Sequence, residues 1–308
     1  MNRTLILGTR GSRLALWQAH HVRDLLAVAA PEAQIEIRTI KTQGDRIQDR
    51  PLSQVGGTGL FVKEIEDALH RREIDFAVHS MKDLPTSQPE GLCIAAVSER
   101  AQPYDMLVTA GGLTLDQLPE GARVGTSSPR RVAQLVHKRR DLKMLDLRGN
   151  VDTRVKKLLA GDYDAIVLAE AGLKRLGIEG IKPVRIEPDV MLPCAGQGAL
   201  AIETRSDDTG CRELIARLEN PLARREVDAE RALLAALGGG CSAPIGTLAR
   251  ERGGRLELAG SVGDPGGTKL VRAELAGDPA DGVKMAQELA ARLLELGAED
   301  LIRKVTKP

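Results

Sequence analysis

Aromatic side chains are scarce in this sequence, which contains one tryptophan, two tyrosines and two phenylalanines. Proteins that bind single-stranded nucleic acids stack the bases on several aromatic rings, so the composition argues against that class of function. The 44 lysines and arginines nearly balance the 43 aspartates and glutamates. No overall field therefore draws the chain towards nucleic acid or an anionic membrane, and any anion-binding site must be local.

Cysteines are also few, and Cys93, Cys194, Cys211 and Cys241 lie far apart, without a CxxC pair. No histidine cluster has metal-ligand spacing either, so we expect neither a disulfide framework nor a metal site. Long apolar runs that span a bilayer are absent, and the first residues lack the basic and apolar regions of an export signal. We therefore expect a cytoplasmic protein without a membrane segment.

The length of 308 residues exceeds a single hydrophobic core and predicts two or three domains. Up to about residue 203, short β-branched runs alternate with amphipathic stretches, which predicts parallel sheets covered by helices. The character changes after Gly238: strand-like runs within 245–275 precede a helix at about 279–296. The predicted fold class is α/β, with two βα domains and a small C-terminal α+β domain.

The boundaries of several elements follow from their caps and breaks. Ser12 can cap a helix that Pro31 ends, and Asn150 can cap a helix that starts at Val151. Another helix is expected from Pro129, and two more at about 207–218 and 222–237. We expect strands at about residues 4–7, 35–39, 74–78, 106–109, 123–125, 144–147, 165–168 and 199–203.

The strongest local motif follows a predicted strand and contains the hydroxyl residues Thr126, Ser127 and Ser128. Pro129 then starts a helix whose first turn carries Arg130 and Arg131. Cations oppose the helix dipole at this end, so both arginines are unfavourable unless an anion joins them. A bound carboxylate or phosphate resolves the conflict. The alternative is that both arginines are solvated at a small cost.

A similar arrangement recurs at residues 148–154, where Arg148 and Gly149 precede the helix start and Arg154 follows it. Arg10, beside Ser12, is a third case. Arg175 is a fourth, for which an exposed helix charge is an equally open alternative. These groups all follow strands, so we expect them to line one crevice at the carboxyl ends of the strands. Repeated arginines indicate a ligand with several carboxylates or phosphates.

Two further residues are candidates for the chemistry itself. Asp83, just past the strand at 74–78, can stabilise a cationic intermediate or move a proton. The alternative is a turn aspartate that pairs with Lys82 or caps a turn before Pro85. Cys241 follows three glycines, so its thiol can act as a nucleophile, and an inert loop cysteine is the alternative.

Taken in order, several motifs of the chain resemble those of the porphobilinogen deaminase (hydroxymethylbilane synthase) family. They are Thr9-Arg10-Gly11-Ser12, Val78-His79-Ser80-Met81-Lys82-Asp83, Gly125-Thr126-Ser127-Ser128 with Arg130-Arg131, Arg148-Gly149-Asn150-Val151 with Thr153-Arg154, Gly196-Gln197-Gly198, and Gly239-Gly240-Cys241 with Pro244. These motifs span nearly the full chain, so their joint occurrence is specific.

The resemblance implies three domains. The first consists of residues 1–98 with 199–218 and the second of residues 104–193, both being lobes like those of periplasmic binding proteins. Residues 220–308 form the third. It also implies a dipyrromethane cofactor joined to the Cys241 sulfur by a thioether, and Asp83 as the catalytic carboxylate. The implied binders of cofactor and substrate carboxylates are Arg10, Ser12, Lys82, Thr126, Ser127, Ser128, Arg130, Arg131, Arg148, Gly149, Arg154 and Arg175.

The function implied is that of a deaminating transferase that joins four porphobilinogen molecules into the linear tetrapyrrole hydroxymethylbilane. Its pathway leads to heme, siroheme, corrin or chlorophyll, and the resemblance also implies a monomer. The alternative is a non-catalytic two-lobed protein that binds a carboxylated ligand. The chain departs from the family pattern at Gln54 and Thr58, where many relatives carry lysines. We therefore assign neither residue a role in charge pairing.

Overall fold

The computed structural model describes residues 4–46, 62–240 and 243–306. The chain forms two compact units, the first composed of Met1–Ala101 with Gly198–Arg224 and the second of Gln102–Gln197 with Arg225–Pro308. Within the described ranges, no helix combines the length and the apolar character needed to cross a membrane.

The first unit is built on a sheet of five strands: β1 (Thr4–Arg10), β2 (Gln34–Ile40), β3 (Phe76–Ser80), β4 (Leu92–Val97) and β10 (Leu200–Arg205). Their order is β2-β1-β3-β10-β4, in which β1 pairs in parallel with β2 and β3, and β10 pairs antiparallel with β3 and β4. The helices of this unit are α1 (Arg13–Ala29), α2 (Gln43–Arg46), α3 (Lys63–His70) and α7 (Thr209–Ala216).

Helix α1 packs on this sheet because its apolar side chains recur with helical spacing. Val22 and Leu26 are fully buried and share a core cluster with Leu7 and Phe76 of the strands. The predicted cap is confirmed, since Ser12 Oγ accepts a hydrogen bond from the Ala15 N–H at 3.3 Å. The cap fixes where α1 begins, directly after the carboxyl end of β1.

The second unit contains a five-stranded sheet with the order β7-β6-β8-β5-β9. Its strands are β5 (Asp105–Thr109), β6 (Arg123–Gly125), β7 (Lys143–Leu145), β8 (Ala165–Ala169) and β9 (Lys182–Ile186). Strand β6 is parallel to β7 and to the central strand β8, whereas β5 is antiparallel to β8 and β9. Helices α4 (Pro129–Lys138), α5 (Val151–Leu159) and α6 (Glu170–Leu176) follow β6, β7 and β8.

The second unit also contains an antiparallel three-stranded sheet of β11 (Ile245–Arg252), β12 (Arg255–Gly263) and β13 (Leu270–Gly277). It has its own apolar core, in which Leu256 and Leu258 of β12 pack with Leu289 and Leu293. The associated helices are α8 (Pro221–Ala236), α9 (Gly282–Glu295) and α10 (Ala298–Thr306), and a 3-10 turn (Pro279–Asp281) precedes α9.

The predicted fold class is confirmed: two βα sheets precede a small C-terminal α+β region. The sequence did not predict β4, β9, α2 or α10. The expectation of a side-chain cap at Asn150 was wrong, because this residue has the extended backbone of an N-cap but its side chain makes no capping hydrogen bond. The separation of residues 220–308 as a third domain stays a prediction.

Candidate active-site residues of the two units

In the first unit, three of the predicted site residues come together. Strands β1 and β3 are parallel neighbours, so their carboxyl ends lie at the same edge of the sheet. Arg10 ends β1, Ser12 caps α1, and Asp83 belongs to the 3-10 turn Met81–Asp83 that follows β3. All three line a small pocket of about 60 Å³.

Asp83 is exposed, and its carboxylate makes no hydrogen bond or ion pair within the described part of the chain. Neither the ion pair with Lys82 nor the turn cap that the alternative interpretation offered is therefore observed among those residues. Lys82 is half-buried on the same turn. A carboxylate that forms no hydrogen bond or ion pair with the described residues is available to interact with a cationic group.

The turn that presents Asp83 is held from both sides. Met81 is fully buried, and its N–H donates to the carbonyl of Ala199 at 3.0 Å. Ser80 Oγ accepts a hydrogen bond from Gln18 Nε2 of helix α1 at 2.8 Å. These contacts fix the backbone on which the carboxylate is mounted.

A buried histidine–carboxylate pair borders the same pocket. His79 Nε2 lies 3.0 Å from Oε2 of Glu203 on β10, and both side chains are buried. The histidine lines the pocket together with Asp83. No sequence signal marks this pair, since its members are 124 residues apart and only the antiparallel pairing of β3 with β10 brings them together.

In the second unit, Ser127 joins the two predicted motifs. Its Oγ donates to the carbonyl of Leu147 at 3.0 Å and accepts from the N–H of the same residue at 3.1 Å. Thr126 Oγ1 accepts from the Ser128 N–H, and Ser128 is the N-cap of α4 without a side-chain capping bond. The loops after β6 and β7 are thus tied at the carboxyl edge of the sheet.

The second motif is arranged around Gly149, whose φ of +109° favours glycine. A Cβ at this position would lie 2.8 Å from Cβ and Cγ2 of Thr153. The carbonyl of Gly149 accepts a hydrogen bond from Arg154 Nε at 2.7 Å. Nη2 of Arg148 is buried and has no hydrogen-bond partner among the described residues.

Arg130 and Arg131 are buried at the start of α4, where they share the carboxylate of Asp105. Arg130 Nη1 donates to Asp105 Oδ2 and Arg131 Nη2 to Oδ1, each at 2.7 Å. The sequence motif required an anion at this helix start, and Asp105 supplies one from within the chain. One carboxylate faces two guanidinium groups, and Arg130 Nε has no partner in the described ranges.

These charges shift the pKa of Asp105. Burial alone would raise it, but the charges of Arg130 and Arg131, with hydrogen bonds from Arg130 and Gln197, hold the pKa of this carboxyl well below its usual range. Arg175 lies on α6 after β8, and burial lowers the pKa of its guanidinium to about 10. It therefore stays a cation at neutral pH.

Asp105 and Gln197 carry no sequence signal that marks them as site residues. Asp105 opens an ordinary buried strand, and Gln197 lies in the Gly196-Gln197-Gly198 motif, which we noted only for the family resemblance. The arginine partners of Asp105 lie 25 and 26 residues further along the chain, and Gln197 lies 92 residues further. Only the pairing order of the sheet places them together.

Several candidates cannot be compared with the structure. Cys241, Gln54 and Thr58 lie outside the described residues. Of the other cysteines, Cys93 and Cys194 are half-buried and Cys211 is buried. Burial raises the pKa of Cys93 and raises that of Cys211 to about 11. In the described ranges, no group of three or more histidine, cysteine, aspartate or glutamate side chains is arranged to hold a metal ion.

Two family models match the chain. Residues 5–213 match the model described as porphobilinogen deaminase, dipyromethane cofactor binding domain, and residues 224–295 match porphobilinogen deaminase, C-terminal domain. The chain belongs to the porphobilinogen deaminase family. The resemblance stated from the sequence motifs is thereby confirmed. The first of these models describes a domain that binds the expected dipyrromethane cofactor.

Similar porphobilinogen deaminases include that of Roseiflexus sp. (strain RS-1), which is 50% identical over 98% of this chain and 99% of the relative. The porphobilinogen deaminase of Pelotomaculum thermopropionicum is 48% identical over 99% of this chain and 97% of the relative. A solved structure of ytmK from Bacillus subtilis, a probable amino-acid ABC transporter extracellular-binding protein, has a TM-score of 0.43 at 11% identity, covering 71% of this chain and 90% of that chain. This last likeness is too remote to carry an argument.

Proposed function

We propose that this protein is a hydroxymethylbilane synthase: it joins four porphobilinogen molecules into the linear tetrapyrrole hydroxymethylbilane and releases ammonia. The proposal rests on the match to both porphobilinogen deaminase family models over most of the chain. It is supported by a relative whose sequence is 50% identical. A non-catalytic binding protein for a carboxylated ligand is not favoured by these relatives. The pathway served is tetrapyrrole biosynthesis.

The catalytic role falls to Asp83. Loss of ammonia from the aminomethyl group of porphobilinogen leaves a cationic azafulvene, and an adjacent carboxylate stabilises that cation and accepts hydrogen bonds from pyrrole N–H groups. Asp83 suits this role because its carboxylate is exposed and forms no ion pair with the described residues. Arg10 and Ser12, which line the same pocket, provide donors for the carboxylates of the substrate.

The second unit supplies the greater part of the proposed carboxylate binding. Each porphobilinogen brings two carboxylates, so an elongating product accumulates negative charge. Two buried donors that have no partner in the described part of the chain, Arg130 Nε and Arg148 Nη2, lie beside two neighbouring helix starts. Donors left unpaired in this way are costly unless a ligand satisfies them. The other proposed binders are Lys82, Thr126, Ser127, Ser128, Arg131, Gly149, Arg154 and Arg175.

The same donors fit the dipyrromethane cofactor, which is built from two substrate units and therefore also carries carboxylates. When bound, this group supplies the pyrrole to which the first substrate unit is added. We propose that Cys241 holds it through a thioether. The raised pKa values of Cys93 and Cys211 argue against these two thiols as the attachment site, because thiols that do not ionise near neutral pH are poor nucleophiles.

We further propose that the enzyme acts as a cytoplasmic monomer and needs neither nucleic acid nor a membrane as a partner. The near balance of charges supports this, since it leaves no global attraction to polyanions. Light scattering of the purified protein at several concentrations tests the oligomeric state. A concentration-independent mass of one chain is expected, and a stable dimer contradicts the proposal.

The decisive test of the function is intact mass combined with ammonia release. The purified protein should exceed the mass of its sequence by two linked pyrrole units, and Cys241→Ser should lack that excess. With porphobilinogen, the wild-type protein should release four ammonia molecules for each hydroxymethylbilane. A bare-chain mass together with no ammonia release refutes the proposal.

The role of Asp83 is tested separately. Asp83→Asn keeps the size of the side chain but removes the charge that stabilises the azafulvene. We expect the variant to retain the mass excess and to lose about 100-fold or more in turnover, as is usual when a group that assists proton transfer or stabilises charge is removed. Near-normal turnover would return Asp83 to the role of a turn residue.

A further inference from the structure

Asp105 stands out among the buried groups of the second unit because four hydrogen bonds converge on its carboxylate. Oδ1 accepts from Arg131 Nη2 at 2.7 Å, from Arg131 Nε at 3.1 Å and from Gln197 Nε2 at 3.1 Å. Oδ2 accepts from Arg130 Nη1 at 2.7 Å. The aspartate is 1% exposed, and the two arginines are 4% and 6% exposed. The cluster is thus shielded from water.

The two arginines are not equivalent in this cluster. All three nitrogens of Arg131 donate within the chain, two of them to Asp105 and Nη1 to the carbonyl of Val167 at 2.8 Å. Arg130 uses Nη1 for Asp105 and for the carbonyl of Leu192, while its Nε stays buried and unpaired in the described ranges. Arg131 is therefore fixed by the fold, whereas Arg130, which also interacts with Cys194, keeps its Nε unpaired among the described residues.

The charges of the cluster do not cancel. One carboxylate against two guanidiniums leaves one positive charge, and the N-terminus of α4 adds to it. A buried net charge is costly, and an anion beside Arg130 removes that cost. Without Asp105 there would be two positive charges, which would repel each other and leave both guanidiniums without their shared acceptor.

Gln197 holds Asp105 in turn. Its Nε2 donates to the carbonyl of Pro103 at 2.6 Å as well as to Asp105 Oδ1, so it links the chain before β5 to the carboxylate. Gln134 also supports the cluster, because its Oε1 accepts from the Leu192 N–H at 2.8 Å, and the carbonyl of Leu192 accepts from Arg130. These contacts restrict the carboxylate to one position.

We propose that Asp105, held by Gln197, is a positioning residue: it aims Arg130 Nε, which has no partner among the described residues, at a carboxylate of the cofactor and sets the local charge to balance one carboxylate. The inference rests on the proposed function. Asp105 itself touches neither cofactor nor substrate, and its effect is transmitted through Arg130.

The test follows loading of the cofactor by intact mass, a measurement that does not depend on turnover. Chain prepared without cofactor is incubated with increasing porphobilinogen, and the concentration that gives half-maximal mass excess is determined. For Asp105→Asn we expect this concentration to rise about tenfold or more, the ratio that corresponds to one misplaced charged hydrogen bond.

The matched control is Asp75→Asn in the first unit. Asp75 is also buried, with Oδ1 3.2 Å from Nη2 of the buried Arg205 and Oδ2 accepting from the Ile6 N–H. This variant should lower the thermal midpoint as Asp105→Asn does, yet load at the wild-type concentration. Equal loading of Asp105→Asn and wild type overturns the inference, as does an equal loss in Asp75→Asn.

A second variant decides the question if Asp105→Asn does not fold. Gln197→Met removes one of the four hydrogen bonds to Asp105 and keeps the side-chain volume, so we expect a smaller rise in the half-loading concentration. Loading identical to wild type overturns the inference. Failure of the proposed function looks different, because wild-type protein would then show no mass excess at any porphobilinogen concentration.

Discussion

The loop before helix α5 offers a quantitative test of how the fold shapes the proposed carboxylate site. Gly149 has a φ of +109°, and a Cβ there would lie 2.8 Å from two carbons of Thr153. Gly149→Ala therefore adds backbone strain of about 1–2 kcal/mol and steric overlap of about 1–3 kcal/mol. We expect a loss of about 2–5 kcal/mol in the free energy of unfolding.

The same helix supplies the control. Gly161, which follows α5, also has a positive φ of +83°, but a Cβ there would meet nothing within 4 Å. Gly161→Ala carries the backbone strain alone, so we expect a loss of about 1–2 kcal/mol. The difference between the two variants measures the contact with Thr153.

Denaturant unfolding and substrate kinetics provide the assay. Gly149→Ala should also raise the KM for porphobilinogen, because the Gly149 carbonyl anchors Arg154 Nε at 2.7 Å and the loop carries Arg148. Gly161→Ala should leave KM unchanged. Equal unfolding free energies for the two variants would show that the Thr153 side chain moves and removes the steric overlap. An unchanged KM in Gly149→Ala would refute the link between this loop and substrate binding.

Two further predictions use the pKa shifts. Because the pKa of Asp105 is depressed in the folded state, its ionised form stabilises the fold fully above about pH 4, and this stabilisation is lost as pH falls through the lower folded value. The difference in unfolding free energy between wild type and Asp105→Asn should therefore be constant from pH 8 to about pH 5 and shrink in stronger acid. A difference that shrinks near neutral pH contradicts the assignment. The pKa of Cys211 is raised to about 11, so its thiol should not react with a disulfide reagent at pH 8 until the protein unfolds, and fast labelling of Cys211 in the folded protein, located by peptide mapping, contradicts the burial.

Elements with strong local signals could be predicted from the sequence, whereas strands β4 and β9 could not. Ser12 and the apolar face of α1 specify that helix, and the buried run of β8 specifies that strand. The missed strands β4 and β9 both lie at the edge of a sheet. Pro183 in β9 lacks an N–H and is tolerated there because an edge strand has one unpaired side, so its pattern differs from that of a central strand.

The residues of the candidate site divide in the same way. Arg10, Ser12 and Asp83 follow neighbouring parallel strands, so topology rules were enough to expect them together. The Asp105 cluster and the His79–Glu203 pair were out of reach, because each depends on antiparallel contacts between distant segments. Local sequence patterns do not show which buried charged side chains pair with each other.

That limit matters most for the arginines, which the sequence presents as equivalent cations. The structure shows that several are paired with carboxylates of the chain itself: Arg123 with Asp164 and Arg139 with Asp141 nearer the surface, and Arg205 with Asp75 in the interior. Arg130 and Arg148, in contrast, keep a buried donor with no partner in the described ranges. Burying an unpaired donor costs about 1–3 kcal/mol, a cost that the carboxylate binding proposed above would remove at these two residues. An excess of arginine therefore does not by itself measure anion binding; donors that the fold buries and leaves unpaired are the better guide.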